Sequence, residues 1–417
     1  MTKPKLRNDC FALPQGVDWT PVDEALDHLR DSLTTVVGTE KLLLSDAGRR
    51  ILAEDVIAQR ANPPAANSAV DGYGFDGSML DGDMTLPLVD GRAAAGVPYE
   101  GVVPKGSALR ILTGAVLPDG VDTVVLEEDC LITAEQVAFA AGLKPGANAR
   151  RAGEDLAVGE LALKAGQTLR PQDLALGTAV GTRSVTVYRT LRIGVLSTGD
   201  ELAEPAADVA ADKTFDANRP MLLDLCRRWH CAAVDLGQAP DDRAALKAIL
   251  DEAAQHCDVV LTSGGASAGD EDHVSAVLKE AGALSHWRIA LKPGRPLALG
   301  VWQGMPIFGL PGNPVAAFVC SLVFAYPAIR QLSGADWQAP QGFLLPASFE
   351  KRKKQGRREY LRARLTGEGS VEVFRSEGSG RISGLSWSDG LVELPDGAAD
   401  IRNGDLVRYI PYASFGL

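Results

Sequence analysis

The segment between Leu191 and Gly334 alternates short apolar runs with amphipathic stretches, and this alternation limits the possible folds more than any other feature. The first run, Arg192–Ser197, predicts a strand, and Asn218 is expected to cap the helix that follows. Repetition of this order predicts a doubly wound, largely parallel sheet in an α/β domain. The other elements expected here are strands at Ala232–Leu236, Asp258–Thr262, Trp287–Leu291, Leu297–Val301 and Pro306–Gly309, and helices that begin at Asp241 or Asp242, at Asp272 and at Asn313.

Four loops of this segment each follow an apolar run and combine glycine or turn residues with a carboxylate or a helix cap. They are Ser197–Glu201, Gln238–Asp242, Ser263–Asp272 and Leu310–Asn313. If the four runs are neighbouring parallel strands, these loops meet along one rim, where an open α/β sheet binds its ligand. We expect this rim to be the active site.

The flanking regions predict further domains, in line with a length of 417 residues, which exceeds what one hydrophobic core usually organises. Thr20-Pro21 and the acids that follow predict a helix start, and residues 61–149 show short β-type runs broken by glycine and proline. The predicted fold is a multidomain α/β chain. It comprises an elongated N-terminal α+β domain at 17–60 plus 151–189, an inserted β-rich domain at 61–150, the doubly wound, mostly parallel sheet domain at 190–334, and a small C-terminal β domain at 340–417 with strands and turns only.

Charge and cysteine usage limit the partners and the compartment. The chain has 42 basic and 54 acidic residues, a net charge of −12, which argues against nucleic acid or an anionic membrane as a partner. Six cysteines without zinc-ligand spacing indicate reduced thiols in a cytoplasmic protein. The most apolar stretch, Val315–Tyr326, is shorter than a membrane span and predicts a buried helix. Because the net charge is negative, an anionic substrate must be bound by a local cluster of basic residues.

One glycine-rich segment matches the dinucleotide fingerprint without its structural context. Gly72–Gly77 fits the spacing, but it follows a proline-rich loop and leads into residues 78–83, which do not have a helical pattern. We therefore expect neither a nicotinamide nor a flavin site there.

A second segment, Gly265–Gly269, matches the nucleophile elbow of serine hydrolases and lies between a predicted strand and helix. A hydrolase that uses Ser267 is therefore an alternative, although only His273 and His286 remain to complete a triad. The acids at 270–272 would also oppose a developing oxyanion. The other interpretation is a nest of backbone N–H groups around Ser263, Gly264, Gly265 and Ser267 that binds an anion.

Acids and cations are both expected near the rim. Glu201, Asp241 and Asp272 each come just after a predicted strand, and three converging carboxylates would repel one another unless a divalent cation such as Mg²⁺ bound between them. Residues 288–296 bring Arg288, Lys292 and Arg295 around a proline-fixed turn suited to an oxyanion. Together they favour chemistry on a phosphate or a metallate.

A run of six cations lies within residues 351–358. A nucleic-acid patch or a targeting signal is one interpretation, but a solvated hairpin is favoured because the run has no aromatic platform nearby except Tyr360. One arginine of this region is a candidate to reach the active site.

Several motifs in order along nearly the whole chain resemble the molybdopterin molybdenumtransferase family, which is related to the gephyrin E domain. The motifs are Asn67-Ser68-Ala69-Val70-Asp71-Gly72-Tyr73, Thr113-Gly114-Ala115, Gly153-Glu154-Asp155, Ser197-Thr198-Gly199-Asp200-Glu201-Leu202, the Gly264–Asp272 loop, Lys292-Pro293-Gly294, Gly309-Leu310-Pro311-Gly312-Asn313-Pro314 and Gly356-Arg357-Arg358-Glu359-Tyr360.

The resemblance implies the last step of molybdenum cofactor synthesis, in which molybdate joins the dithiolene of adenylylated molybdopterin and AMP leaves with help from Mg²⁺ or another divalent metal. It further implies a sheet domain of the molybdopterin-binding type, a homodimer, and transient contact with the molybdopterin adenylyltransferase and recipient molybdoenzymes. A non-catalytic molybdopterin-binding scaffold is the alternative from another class. The three retained acids argue against a scaffold.

Site residues carried over by the resemblance fall into two groups. The catalytic group is Asp71, Glu201, Asp241, Asp272 and Lys292, of which Glu201, Asp241 and Asp272 would bind metal. The substrate-binding group is Thr113, Asp155, Ser263, Gly264, Gly265, Ser267, Arg288, Arg295, Pro296, Arg357, Arg362 and Ser379, with Arg358 as an alternative to Arg357 and Arg362. The β-rich side would contribute Asp71, Thr113 and Asp155, either within one chain or across the dimer.

Overall fold

The computed structural model describes residues 19–206, 208–264, 273–280, 284–294 and 296–417. The chain divides into two compact units, one formed by Met1–Thr39 with Tyr188–Leu417 and the other by Glu40–Val187. Each unit has hydrophobic clusters of its own. The finer division into four domains stays a prediction.

The helix predicted after Thr20-Pro21 is confirmed as α1, Val22–Ser32. Its first turn carries Asp23 and Glu24, which favour the positive end of the helix dipole. The buried residues of α1 recur at helical spacing. They pack in the main hydrophobic cluster of the larger unit, which is the one formed by Met1–Thr39 with Tyr188–Leu417 and includes α1 itself.

The unit Glu40–Val187 is built mainly from strands. They are β1 (Thr39–Leu43), β2 (Val56–Ile57), β3 (Asn67–Ser68), β4 (Gly72–Phe75), β5 (Met84–Ala93), β6 (Ala108–Ile111), β7 (Thr123–Leu126), β8 (Cys130–Ile132), β9 (Gln136–Phe139), β10 (Ala149–Arg150), β11 (Leu161–Leu163) and β12 (Ser184–Tyr188), with helix α2 (Pro171–Ala179). A six-stranded sheet has the order β7-β4-β6-β5-β9-β8, and the pairs β1-β12, β2-β11 and β3-β10 complete the unit.

Gly72 allows strands β4 and β7 to pack closely. It lies in the central strand β4, and a Cβ placed on it would come within 1.9 Å of the carbonyl oxygen of Val125 on β7. The chain continues into a 3₁₀ turn, Gly77–Met79, and then into β5. The expectation that no helix opens directly after this glycine-rich segment is confirmed for these residues.

The second part of the larger unit contains the remaining elements. They are β13 (Arg192–Thr198), β14 (Leu202–Ala203), β15 (Thr214–Phe215), α3 (Asn218–Arg228), β16 (Ala232–Ala239), α4 (Arg243–His256), β17 (Val259–Ser263), α5 (His273–Glu280), β18 (Leu284–Arg288), β19 (Leu291–Lys292), β20 (Pro296–Trp302), β21 (Met305–Leu310), α6 (Pro314–Cys320) and α7 (Tyr326–Leu332), followed by β22 (Phe343–Pro346), β23 (Lys351–Lys353), β24 (Arg358–Leu365), β25 (Val371–Val373), α8 (Ser383–Trp387), β26 (Gly390–Leu394), β27 (Ala399–Ile401) and β28 (Leu406–Pro411).

The doubly wound, mostly parallel sheet is confirmed. Its order is β16-β13-β17-β21-β20-β18, and the first four strands are mutually parallel. Alternate residues of the strands enter two clusters on opposite faces: Val195 and Leu261 pack with α3 and α6, whereas Leu196 and Val260 pack with α4 and α5. The sheet therefore has helices on both faces.

The predicted strand Trp287–Leu291 is wrong. Its first part belongs to β18, which pairs antiparallel with β20, and its end belongs to β19, which pairs with β24 of the C-terminal sheet. Antiparallel pairs β18-β20 and β20-β21 also form one edge of the central sheet. Lys292 consequently lies in the C-terminal sheet, just after the chain leaves the central sheet at the end of β18.

The apolar stretch near residue 315 is a core helix. Residues 314–332 form one continuous helical stretch, with a π-helical turn at Ser321–Ala325 between α6 and α7. It passes a length and hydropathy test for a membrane span, yet 83% of its most apolar window is buried inside the protein. The expectation of a buried helix is confirmed. The five cysteines within the described residues are all free thiols, and four of them are buried.

Two expectations for the C-terminal region are wrong. The short helix α8 lies in a region for which strands and turns alone were expected. Residues 351–358 are not a solvated hairpin, because β23 pairs with β27 whereas β24 pairs with β26. Lys353 is only 3% exposed and its ammonium donates to three backbone carbonyl oxygens.

Replacing Gly72 by alanine should lower the free energy of unfolding by at least about 2 kcal/mol, because the new Cβ must displace a backbone oxygen. Gly48 is the matched control in the same unit, since a Cβ there would make an ordinary 3.7 Å contact with Leu174. Urea denaturation of Gly72→Ala and Gly48→Ala measures the difference. Equal stability of the two variants would contradict the close packing of β4 against β7.

Candidate functional site

The four predicted loops meet along one rim of the parallel sheet. Ser197 at the end of β13 is in register with Gln238 on one side and with Ser263 on the other, and Ser263 is in register with Leu310. Since these strands are parallel, the four loops leave the sheet at the same edge. The expected convergence is confirmed for the points at which the loops leave the strands; residues 265–272 of the third loop lie outside the described residues.

Glycines allow the rim loops to lie against one another. Gly264 has a φ of +92°, and a Cβ on it would lie 2.8 Å from Oγ1 of Thr198. A Cβ on Gly312 would lie 3.8 Å from Cα of Gly264, and one on Gly294 would lie 3.7 Å from Pro311. The contacts link the end of β13 to the Lys292-Pro293-Gly294 turn, so one surface joins the sheet rim to that turn.

A buried polar cluster supports the rim. The side-chain amide of Asn218 donates to Oγ of Ser263 at 2.6 Å and to the carbonyl oxygen of Gly312 at 2.7 Å. The prediction that Asn218 caps α3 is wrong, because it is the first helical residue and its amide binds these loops instead. Oγ of Ser197 and Oδ1 of Asn218 are buried without a hydrogen-bond partner among the described residues.

Two of the three predicted metal ligands flank one turn at the rim. Oδ2 of Asp241 accepts from the backbone N–H of Asp200 at 3.2 Å, and a Cβ on Gly199 would lie 2.3 Å from Oε2 of Glu201. Both carboxylates therefore lie against residues 199–201. Asp272, the third predicted ligand, lies outside the described residues.

Carboxylate oxygens at this turn fit a hard cation such as Mg²⁺. The fit rests on two ligands: no group of three His, Cys, Asp or Glu side chains with metal-site geometry occurs within the described ranges, which omit 265–272. The metal site thus stays a proposal built on Glu201 and Asp241.

Three of the predicted site residues lie in the β-rich unit, and each takes part in one of two hydrogen-bonded pairs. Oδ1 of Asp71 accepts from both the backbone N–H and the hydroxyl of Thr113, each at 2.6 Å, and these bonds lower the pKa of the Asp71 carboxyl. Oδ2 of Asp155 accepts from the amide of Asn62 at 2.7 Å. Asp71 and Thr113 are therefore brought together as an exposed, hydrogen-bonded pair that keeps the Asp71 carboxylate ionised.

A cavity of about 300 Å³ lies between the central sheet domain and the C-terminal sheet, and it contains Lys292 and Arg362. The two predicted residues come from β19 and β24, which are neighbours in the C-terminal sheet. Both apolar and charged side chains line the cavity. The other lining residues used below are Phe374, Lys351 and Glu377.

Lysines and glutamates form a closed ion-pair cluster in this cavity. Nζ of Lys292 lies 2.5 Å from Glu377 and 3.5 Å from Glu359, and Nζ of Lys351 lies 3.0 Å from Glu359 and also contacts Glu377. Burial alone would raise the pKa of the Glu377 carboxyl, but hydrogen bonds from both lysines outweigh it and lower that pKa. Burial would likewise lower the pKa of Lys351, but its bonds to the two glutamates raise it. Glu377 and Lys351 are therefore charged at neutral pH.

Arg362 holds the loop that carries Glu377 and Ser379. Its guanidinium donates to the carbonyl oxygens of Arg381 and Ser376, both at 2.5 Å, and to that of Gly378 at 3.3 Å. Burial lowers the pKa of Arg362, though from a value so high that it stays charged. Its donors are largely committed to the protein, so Arg362 positions this loop.

The other candidate arginines have structural partners or lie outside the described part. Arg358 forms a bidentate pair with Asp23 at 2.6 and 2.8 Å, and the ring of Trp19 lies 5.9 Å from the Arg357 guanidinium. Neither is among the residues that line the cavity. Gly265, Ser267 and Arg295 lie outside the described residues, as do the side chains of Arg288 and Pro296.

Sequence reasoning missed Lys351, Glu359 and Glu377. A signal was present for the first: Lys351 and Lys353 are two residues apart, so a strand there places both on one face, which is the buried face of β23. Glu377 lies in an irregular loop, where no periodicity marks a side chain as facing a cavity.

Models of three protein families match the chain. They are the MoeA N-terminal region (domain I and II) at residues 20–181, the probable molybdopterin binding domain at residues 194–331, and the MoeA C-terminal region (domain IV) at residues 345–412.

Whole proteins match over almost their full length. A Haemophilus influenzae protein named molybdopterin molybdenumtransferase is 36% identical over 397 residues, which cover 94% of this chain and 98% of the relative. Molybdopterin molybdenumtransferase 2 of Mycobacterium tuberculosis is 32% identical, with 87% and 92% covered. The crystal structure of the molybdopterin biosynthesis MoeA protein from Pyrococcus horikoshii superposes with a TM-score of 0.82 at 28% identity, covering 95% of this chain and 100% of that one.

Replacing Arg362 by lysine should speed amide hydrogen exchange in residues 376–381 at least tenfold, because one ammonium cannot donate to three carbonyl oxygens at once. Hydrogen bonds from a charged donor contribute about 1.5–3 kcal/mol, and 1.4 kcal/mol corresponds to a factor of ten. The control is Arg364→Lys on the same strand, whose exposed guanidinium pairs with Glu372. Equal exchange in the two variants would contradict the positioning role of Arg362.

Proposed function

Because the chain belongs to the molybdopterin molybdenumtransferase family and is thus an enzyme of molybdenum cofactor biosynthesis, we propose that it inserts molybdate into the dithiolene of adenylylated molybdopterin with release of AMP. The substrates are molybdate and adenylylated molybdopterin. The observation that carries the proposal is the continuity of the sheet rim with the Lys292 turn, since it provides neighbouring sites for a nucleotide-bearing pterin and an oxyanion.

The residues of the rim bind the pterin and its phosphates. Gly264 follows β17 with its backbone exposed to the rim, and the neighbouring hydroxyl of Ser263 is held in place by Asn218. Backbone N–H groups in such a turn favour phosphate oxygens. Gly265 and Ser267 extend this nest in the proposal.

Lys292 holds the oxyanion. Its ammonium lies in a partly buried cavity, where a charge-assisted hydrogen bond to an anion is stronger than in water. Arg288, Arg295 and Pro296 follow or precede the same turn and are proposed to border the same anion. Holding molybdate close to the dithiolene accelerates the reaction by proximity, and no side-chain nucleophile is required.

Glu201, Asp241 and Asp272 would hold Mg²⁺ at the rim. The cation, when bound, supplies charge stabilisation to the phosphoanhydride of the adenylylated substrate. Asp71 and Thr113, with Asp155, would complete the site from the β-rich unit, and we propose a homodimer in the cytoplasm in which this contribution is made within one chain or across the dimer. Transient contacts with the adenylyltransferase and with recipient molybdoenzymes follow from the same proposal.

The alternatives lose their support with the family assignment. The relatives that match nearly end to end are named as transferases, so the chain is an enzyme rather than a pure scaffold. A serine hydrolase at Ser267 is supported by the short motif alone, whereas the relatives that match nearly end to end are named as transferases.

Protein mixed with adenylylated molybdopterin and Mg²⁺ should release AMP only when molybdate is present, as measured by chromatography of the nucleotide. Lys292→Met should lower kcat/KM for molybdate at least tenfold, since a charge-assisted bond of about 1.5–3 kcal/mol is lost. Lys279→Met, which removes an exposed ammonium from α5, is the control. Molybdate-independent AMP release would contradict the proposed function, and full activity of Lys292→Met would remove the role of that lysine.

Asp241→Asn should raise the Mg²⁺ concentration for half-maximal AMP release about tenfold, because a neutral amide binds a hard cation less well than a carboxylate. Excess Mg²⁺ should restore the rate. Asp242→Asn is the matched control, since Asp242 caps α4 by accepting from the N–H of Ala245 and asparagine caps equally well. An unchanged Mg²⁺ requirement in Asp241→Asn would exclude that residue as a ligand.

A further inference from the structure

The carboxylate of Glu377 is paired with the ammonium group of Lys292, to which the proposed function assigns the oxyanion. The same carboxylate joins this group to a second ammonium group, that of Lys351. One carboxylate oxygen contacts Nζ of Lys292 at 2.5 Å and the other contacts Nζ of Lys351. Two negatively charged oxygens thus lie where two oxygens of a tetrahedral anion would bind the same pair of lysines.

The two glutamates of the cluster differ in how firmly they are held. Glu359 lies in strand β24, in register with Lys292 on β19, and is 8% exposed. Glu377 lies in the irregular segment after β25, and 43% of its side chain is exposed. Glu359 is therefore a fixed counter-charge, whereas Glu377 can leave the cavity for solvent without moving a strand.

The net charge of the cluster changes when Glu377 leaves. Its two lysines and two glutamates sum to zero, and without Glu377 the cluster has a net charge of +1. An unpaired buried ammonium is costly, so the Glu377 carboxylate must be replaced by another anion. A tetrahedral dianion of molybdate type meets both lysines and brings more charge than the carboxylate it displaces.

We propose that Lys351 is a second oxyanion-binding residue and that Glu377 is a built-in counter-ion, which fills the oxyanion position in the free enzyme and is displaced by the substrate anion. The inference rests on the proposed function for the identity of that anion. Because Glu377 competes with free anions for the two lysines, singly charged anions such as chloride do not displace it. Glu377 therefore contributes to specificity by excluding the wrong ligand.

Calorimetric titration of the full chain with sodium molybdate alone, at pH 7.5 and constant ionic strength, tests this directly. Glu377→Gln and Glu377→Ala should each lower the Kd for molybdate at least tenfold, because the internal competitor is removed. Lys351→Met should raise the Kd. Glu368→Gln is the matched control: it removes the same charge from an exposed side chain in the turn between β24 and β25, which is not among the lining residues of the cavity and has no ion pair to either lysine among the described residues, and it should change the Kd less than twofold.

An unchanged or higher Kd in both Glu377 variants overturns the proposal, and so does an equal gain in Glu368→Gln, which would reflect net charge alone. Thermal melts confirm that the variants are folded. In the AMP assay Glu377→Gln should lower the KM for molybdate with kcat within twofold of the wild type, whereas a structural defect would not lower KM. If the wild type releases AMP but Glu377→Gln shifts neither Kd nor KM, only this inference fails. If the wild type releases no AMP, the proposed function fails, and the titration still decides the role of Glu377.

Discussion

Close backbone packing along the carboxyl edge of the parallel sheet is the constraint on which the site depends. Thr198, Gly264, Gly312, Pro311 and Gly294 follow one another along this edge, and a side chain at Gly264 would overlap Thr198. Because of that packing, the turn with Lys292 lies next to the sheet rim. A wider spacing would separate the carboxylates at the rim from the cations of the cavity, and no single ligand could reach both.

Electrostatics explain how an acidic protein can offer a site to an anion. The chain has a net charge of −12, so long-range attraction does not favour anions. The ammonium groups of Lys292 and Lys351 are instead paired in a cavity with the carboxylates of Glu359 and Glu377, and these ion pairs offset the cost of burial. The proposed anion site is therefore local, and its affinity depends on which carboxylate can be exchanged.

The sequence predicted the site unevenly. Lys292 and Arg362 are predicted from the sequence and lie in the same cavity, although Arg362 turns its donors to backbone carbonyls. Lys351 belongs to a basic run whose pattern predicts a solvated hairpin, and Glu377 belongs to no motif. Their importance comes from β23 and β24 pairing with different strands, and a run of charges does not reveal its pairing partners.

The sequence by itself determined the elements whose signals are local. Apolar periodicity and caps were enough for α1, for the parallel strands β13, β16, β17 and β21, and for the rim they share, because side-chain period and capping act within a few residues. Tertiary structure alone decided the division of β18 from β19, the use of the Asn218 amide as a bridge, and the Lys–Glu cluster. Several of the contacts that build these features join distant residues, such as Asn218 and Gly312, which are 94 positions apart, and Lys292 and Glu377, which are 85 positions apart. The chain offers no local pattern that selects one distant partner over another.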